Sequence, residues 1–265
     1  MGKSPATRVT FTVQTAEPET RVRIQVARDH EQMSRRAAAR IAAAVRRKPA
    51  LLLGVVTGAS PTRTYQRLAE RRAVEPSLFR RVRVVKLDEW LGLPPRHPAS
   101  CESYLRVNLL GPLGIPRARY QGFQARPKDA GADCARLARW LSRHGPIDLC
   151  VLGLGRNGHL LMNEPAAALR PGPHVARLAA STRRHSMLEG LKTLPRRGLT
   201  MGMADILQSR AILLLVSGRP KAAPLRRMLS GRVTTRCPAS FLWLHPDVTV
   251  YCDRAAGRAL ARRQR

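Results

Sequence analysis

Three stretches of the sequence hold residue types that could do chemistry together. The first, "GLGRNGHLLMNEP" (Gly153 to Pro165), breaks an apolar run with glycines, an imidazole and a carboxylate. Gly153, Gly155 and Gly158 suit a backbone that approaches a ligand closely. His159 and Glu164 stand near enough in sequence to meet across a turn, and an imidazole that titrates near neutrality can shuttle protons when a carboxylate orients it. The second stretch, "VVKLDEW" (Val84 to Trp90), delivers Asp88 and Glu89 directly after apolar residues. Alternation along an extended chain sends one carboxylate into a crevice while its neighbour turns away. A carboxylate held there can take a proton from carbon acidified by a neighbouring carbonyl, although two solvated acids opening a loop fit this stretch equally well. The third stretch, "VVTGASPTRTY" (Val55 to Tyr65), sets Thr57, Gly58, Ala59 and Ser60 ahead of Pro61, a residue suited to the first turn of a helix. Free N–H groups there would face an anion such as phosphate, with the hydroxyls of Thr57, Ser60 and Thr62 in reach.

The elements that must position these residues follow from periodicity. Glu31 to Arg47 is alanine-rich with one apolar face and reads as a helix. Ala50 to Val56 is a short continuous apolar run, the pattern of a strand covered on both faces. The alternation continues with a helix after Pro61, a strand at Val82 to Leu87, a helix at Cys134 to His144 and a strand at Ile147 to Gly153. A strand at Ala211 to Gly218, a helix from Pro220 to Leu229 and a strand at Val248 to Cys252 complete it. Such alternation predicts an α/β fold: a doubly wound, mostly parallel, Rossmann-like sheet with helices on both faces. No repeat or linker divides the chain, so residues 1–265 read as a single domain. In such sheets ligands sit beyond the carboxyl ends of the strands, where all three stretches fall.

Composition narrows the function classes. A chain of 265 residues, 44% hydrophobic, can bury a full core. The net charge of +31 raises nucleic acid as a partner, but the six lysines are scattered, the arginines are dispersed, and aromatic residues make up only 4%. That leaves few stacking platforms, so nucleic-acid binding is not expected as the main function. A basic surface would also attract anionic metabolites. The cysteines, Cys101, Cys134, Cys150, Cys237 and Cys252, form no C-x-x-C pair and suggest neither zinc nor redox work. No apolar leader opens the sequence and no stretch approaches the roughly 20 apolar residues of a membrane span, so a cytoplasmic protein with no membrane partner is expected.

Taken in order and spacing, "TGASPTRTY", "KLDEWLGLP", "HPASCESYL", "IDLCVLGLGRNGHLLMNEPAAAL", "SGRPKAA" and "PASFLWLHP" resemble the glucosamine/galactosamine-6-phosphate deaminase/isomerase family over nearly the whole chain. "LDEWLGLP", "CVLGLGRNGH" and "PASFLWLH" look most similar to its galactosamine-6-phosphate branch. The related 6-phosphogluconolactonases share the acidic pair and a glycine-rich G-H turn, but Asn163-Glu164-Pro165 is similar to the deaminases. The resemblance implies an enzyme that opens a 2-amino-2-deoxyhexose 6-phosphate, moves the C2 proton to C1 and releases ammonia and a ketose phosphate, without metal or redox cofactor. It implies His159 as the ring-opening group, Glu164 as its support, Asp88 as the enolisation base, and a phosphate site on Thr57, Gly58, Ala59, Ser60 and Lys221. A lactonase, or a sensor domain that binds sugar phosphate without turnover, are the other readings. The resemblance leaves room for a homo-oligomer.

Two positions depart from the family pattern. The arginine usual in glucosamine-6-phosphate deaminases falls on Leu188, with Arg183 or Arg184 as substitutes. Asn157 stands where many members have aspartate, and its amide oxygen is expected to accept the His159 ring N–H.

Overall fold

The apolar runs fold as strands covered on both faces. In this computed structural model, which describes residues 21–258 except 95, together with residue 260, there are ten strands among the described residues. The expectation of no apolar leader rests on residues outside that set. In chain order the strands are β1 Arg21–Ala27, β2 Leu52–Val55, β3 Arg83–Lys86, β4 Asp88–Trp90, β5 Tyr120–Gln121, β6 Leu149–Gly153, β7 His174–Arg177, β8 Arg197–Thr200, β9 Ile212–Val216 and β10 Asp247–Asp253. Seven of them form a sheet in the order β1-β10-β9-β6-β2-β3-β5, every pairing parallel. Strands β4, β8 and β7 form a second, antiparallel sheet.

Strand β9 shows why an uninterrupted apolar run is required. Ile212, Leu214 and Val216 enter one core cluster with Leu137 of helix α3, Ala130–His144. Leu213 and Leu215 enter the other with Ile41 of α1, His30–Arg47, and Leu68 of α2, Ala59–Val74. Helices therefore cover both faces, as the sequence predicts, and a strand between them has no polar side. Helix starts are set locally: the Asp29 carboxylate accepts the Gln32 N–H at 2.7 Å at the head of α1, and Asp129 accepts those of Gly131 and Ala132 at the head of α3. Among the described residues no helix is long and apolar enough to cross a membrane.

The structure corrects the sequence reading in two respects. The first strand is β1, not the run at Ala50, so a strand and helix α1 occupy the region read as preceding the sheet. Asp88 and Glu89 do not open a loop: with Trp90 they form β4, which leaves the parallel sheet after Leu87 and pairs with β8, Asp88 opposite Thr200. The carboxyl ends of β9, β6, β2 and β3 are adjacent in the sheet, which brings the three sequence stretches and the segment after β9 to one edge.

Candidate active site

After β6 the chain turns back on itself within six residues. The Gly155 N–H donates to the His159 carbonyl at 3.0 Å, and the Gly158 N–H donates to the Gly155 carbonyl at 3.0 Å. Leu161 takes the left-handed conformation at φ 55°, uncommon for a residue with a branched side chain. The Asn163 side chain holds that turn by donating to the carbonyls of Leu160 at 3.1 Å and Met201 at 2.9 Å. The strained turn brings His159 and Glu164 together: Nδ1 lies 3.3 Å from Glu164 Oε2 and 3.2 Å from the Thr182 hydroxyl. With Nδ1 so engaged, Nε2 is the ring nitrogen left for a ligand in the cavity that His159 lines.

Glu164 is anchored on both oxygens. Oε1 accepts the Ala179 N–H at 3.1 Å and Oε2 accepts the Asn157 amide N–H at 2.7 Å. Burial pushes this carboxyl upward, but hydrogen bonds from and the charge of His159, with bonds from Thr182 and Asn157, outweigh it and hold the group at about 2. The Asn157 oxygen accepts the His159 backbone N–H at 3.2 Å, not the ring N–H expected from the sequence. Asn157 thus orients the carboxylate and the turn, and touches the imidazole only through Glu164.

The three glycines divide by role. A methyl group on Gly153 would meet nothing within 4 Å, and Gly153 borders the cavity, consistent with close approach of a ligand. On Gly155 it would lie 2.3–2.4 Å from ring atoms of His159, so that glycine makes room for the imidazole. Gly158 adopts φ +92°, and a methyl group on it would lie 2.9 Å from the Cys237 sulfur, a steric requirement of the turn that involves no ligand. Gly155→Ala should therefore displace His159 and lower kcat at least tenfold, since small misplacement of catalytic groups is costly. A kcat within twofold of the parent would show that the imidazole position is not critical.

Asp88 and Trp90, alternate residues of β4, face the same cavity, and Glu89 between them is fully buried on the other side. Glu89 accepts from Lys86 Nζ at 2.5 Å and from the backbone N–H groups of Trp90, Cys101 and Glu102 at 2.8–2.9 Å, so it is a structural anion. Lys86, also fully buried, has its pKa raised: burial works downward, and the carboxylates of Glu89 and Glu102 overcome it. Among the described residues Asp88 has no such partners. Its Oδ1 is buried without a hydrogen bond, and burial, reinforced by the Glu89 charge and opposed by Lys86, pushes the carboxyl up to about 7. A carboxylate tuned toward neutrality is suited to accept a proton at working pH.

The cavity of about 240 Å³ is closed on its other side by cations and hydroxyls. Gly58, at φ 113°, precedes α2, whose first N–H groups have no side-chain cap. Thr57, Gly58, Ala59 and Ser60 all border the cavity, and the Ser60 and Ser217 hydroxyls lie 2.9 Å apart. Thr62 does not join them, because its hydroxyl donates to the Gly58 carbonyl at 2.8 Å and lies 2.6 Å from the Tyr104 hydroxyl. Lys221 Nζ donates to the Leu154 carbonyl at 2.5 Å, and burial together with the charge of Arg156 pulls its pKa down to about 8. Arg184 borders the cavity from an exposed position and Arg183 does not border it. Sequence reasoning misses Arg156, Thr182, Ser217 and His185. Arg156 lies inside the quoted glycine motif and is legible there; Thr182 and His185 lie in an aperiodic loop with no local signal.

A family model described as glucosamine-6-phosphate isomerases/6-phosphogluconolactonase matches residues 25–251. The chain is 40% identical over 232 residues to a glucosamine-6-phosphate deaminase of Geobacillus sp. (strain WCH70), covering 87% of this chain and 92% of the relative. Its fold superposes on a solved structure of a monomeric glucosamine-6-phosphate deaminase with a TM-score of 0.86 at 33% identity, covering 90% of this chain and 100% of that one. A 6-phosphogluconolactonase from Trypanosoma brucei shares the fold, with a TM-score of 0.71 at 20% identity, covering 91% of this chain and 99% of that one.

Proposed function

The chain belongs to the glucosamine-6-phosphate isomerase/6-phosphogluconolactonase family, and from that premise we propose that it is an isomerising deaminase of 2-amino-2-deoxyhexose 6-phosphates. Galactosamine 6-phosphate or glucosamine 6-phosphate is the substrate, and a ketose 6-phosphate and ammonia are the products. The observation that carries this reading is the buried Asp88 carboxyl, raised to about 7, whose Oδ1 has no hydrogen bond among the described residues and which borders the same cavity as the His159–Glu164 pair. A lactonase hydrolyses an ester and needs no base for a carbon acid, whereas enolisation does.

In this mechanism His159 Nε2 passes a proton between the ring oxygen and the anomeric hydroxyl, opening the sugar. The Glu164 carboxylate, held in place by Asn157 and the Ala179 N–H, supports the imidazolium through Nδ1. Asp88 then takes the C2 proton, acidified by the new aldehyde and the neighbouring ammonium, and returns it to C1, leaving a C2 imine that water hydrolyses. The phosphate is held by Thr57, Gly58, Ala59 and Ser60 at the open N–H groups of α2 and by Lys221, with Arg184 at the rim. Lys221→Ala should raise KM roughly 10- to 100-fold with a smaller change in kcat, the size of a lost charge-assisted hydrogen bond. An unchanged KM would locate the phosphate elsewhere.

The test is ammonia release measured side by side with galactosamine 6-phosphate and glucosamine 6-phosphate, with hydrolysis of 6-phosphogluconolactone in parallel. Ammonia from either amino sugar supports the proposal, and the ratio of the two kcat/KM values assigns the C4 configuration preferred. Lactone hydrolysis without ammonia would establish the lactonase, and binding without turnover of any of the three would establish a sensor.

A further inference from the structure

We propose that His185 is a phosphate ligand, donating a hydrogen bond from Nε2 to the anion held beside the Thr57 to Ser60 loop. This rests on the deaminase reading of the cavity. His185 borders the cavity and caps the short 3₁₀ turn Ser186–Leu188. Its Nδ1 accepts the Met187 N–H at 3.2 Å, which fixes the ring proton on Nε2. That N–H has no protein acceptor among the described residues, and it faces the anion loop: a methyl group built on Gly58 would lie 3.7 Å from Nε2. A donor with no protein partner, held over the uncapped N–H groups of α2, converges with them on whatever anion they bind.

The ring is fixed from both ends. Its centroid lies 5.8 Å from that of Trp90, tilted at 50°, and Trp90 stands two residues from Asp88 on β4. Burial, together with the charges of Lys221, His159 and Arg156, pulls the His185 pKa down to about 4, so the group stays neutral across the physiological range. It can donate but adds no further charge to a site already bordered by Arg156, Arg184 and Lys221.

Leu188, where the resemblance places the family's arginine, is 1% exposed and packs in an apolar cluster with Trp90, Leu93, Cys101, Met162 and Leu178. Its N–H donates to the His185 carbonyl at 2.9 Å, so the two residues lie one turn apart on one backbone ring. The turn supplies packing through Leu188 and a hydrogen-bond donor through His185.

Three variants test this on the full chain: His185→Ala, His185→Phe, which keeps an aromatic ring against Trp90, and His185→Gln, which keeps an N–H donor at similar reach. Two quantities are measured, the dissociation constant of inorganic phosphate by calorimetry and the steady-state constants for the better amino-sugar phosphate. Alanine and phenylalanine should both weaken phosphate about tenfold or more and raise KM by a similar factor, leaving kcat within a few-fold, and glutamine should restore most of the loss. Restoration by phenylalanine in place of glutamine would overturn the proposal in favour of packing. A raised KM with unchanged phosphate affinity would overturn it in favour of a contact to a sugar hydroxyl. If the parent protein releases no ammonia, the deaminase reading fails, while the phosphate measurements still decide the role of His185.

Discussion

Asp88→Asn is expected to remove turnover and stabilise the protein at once. With the base gone, deamination should fall by at least about 10³-fold, within the range for loss of a positioned general base, and KM should stay within about tenfold because shape is preserved. The stability effect follows from the same burial. Asp88 rises from 3.8 to about 7 in the folded protein, so the folded state holds its proton more tightly than the unfolded chain does. The parent therefore loses stability as pH climbs from about 4 to about 7 and regains none above that. A difference of that size corresponds to at most about 4 kcal/mol. At pH 8 the neutral amide of the variant carries no such cost, and Tm should exceed that of the parent by several degrees, with the two converging near pH 4. Equal Tm values at pH 8 would mean that Asp88 is not desolvated, and retained turnover would remove it as the base.

Glu164→Gln is the second large effect. The carboxylate is the anionic partner of His159 Nδ1, since Asn157 directs its N–H at Glu164 and not its oxygen at the ring. An amide in place of the carboxylate removes the negative charge and also turns one acceptor into a donor, against the N–H groups of Asn157 or Ala179. On the cyclic substrate kcat should drop about 10²- to 10⁴-fold, the scale of impaired general acid–base catalysis. The spontaneously open aldehyde needs no ring opening, so the deficit should shrink when the rate is referred to that fraction. A loss of less than threefold would show that His159 acts without carboxylate support.

What the sequence reveals depends on whether the cause is local. The runs at Ala50 and Ala211 are legible because a strand between two helical layers must be apolar on both sides. Strand β1 is not, because it lies at the sheet edge, where the four successive residues Arg23, Ile24, Gln25 and Val26 are all exposed, so its apolar residues, Ile24 at 42% and Val26 at 46%, are separated by polar ones and make no continuous run. Strands β4, β7 and β8 have three or four residues each, too few for a period, and are defined by pairing with one another. That Glu89 turns away from Asp88 follows from simple alternation along an extended chain. Asn157 has a different partner from the expected one because adjacency in sequence does not say which way a turn points its side chain. Thr182 and His185 reach the cavity only through the fold of the second sheet, and no spacing in "STRRHSML" marks them.

The central claim is proton transfer from C2 by Asp88, and deuterium follows it directly. An amino-sugar 6-phosphate carrying deuterium at C2 is turned over in ordinary water, and the products are read by mass spectrometry and NMR alongside ammonia. The account predicts one ammonia per ketose 6-phosphate, a slower rate than with the protiated sugar, and deuterium leaving C2, appearing in part at C1. Ammonia released with deuterium still on C2, giving an aldose phosphate, would contradict it.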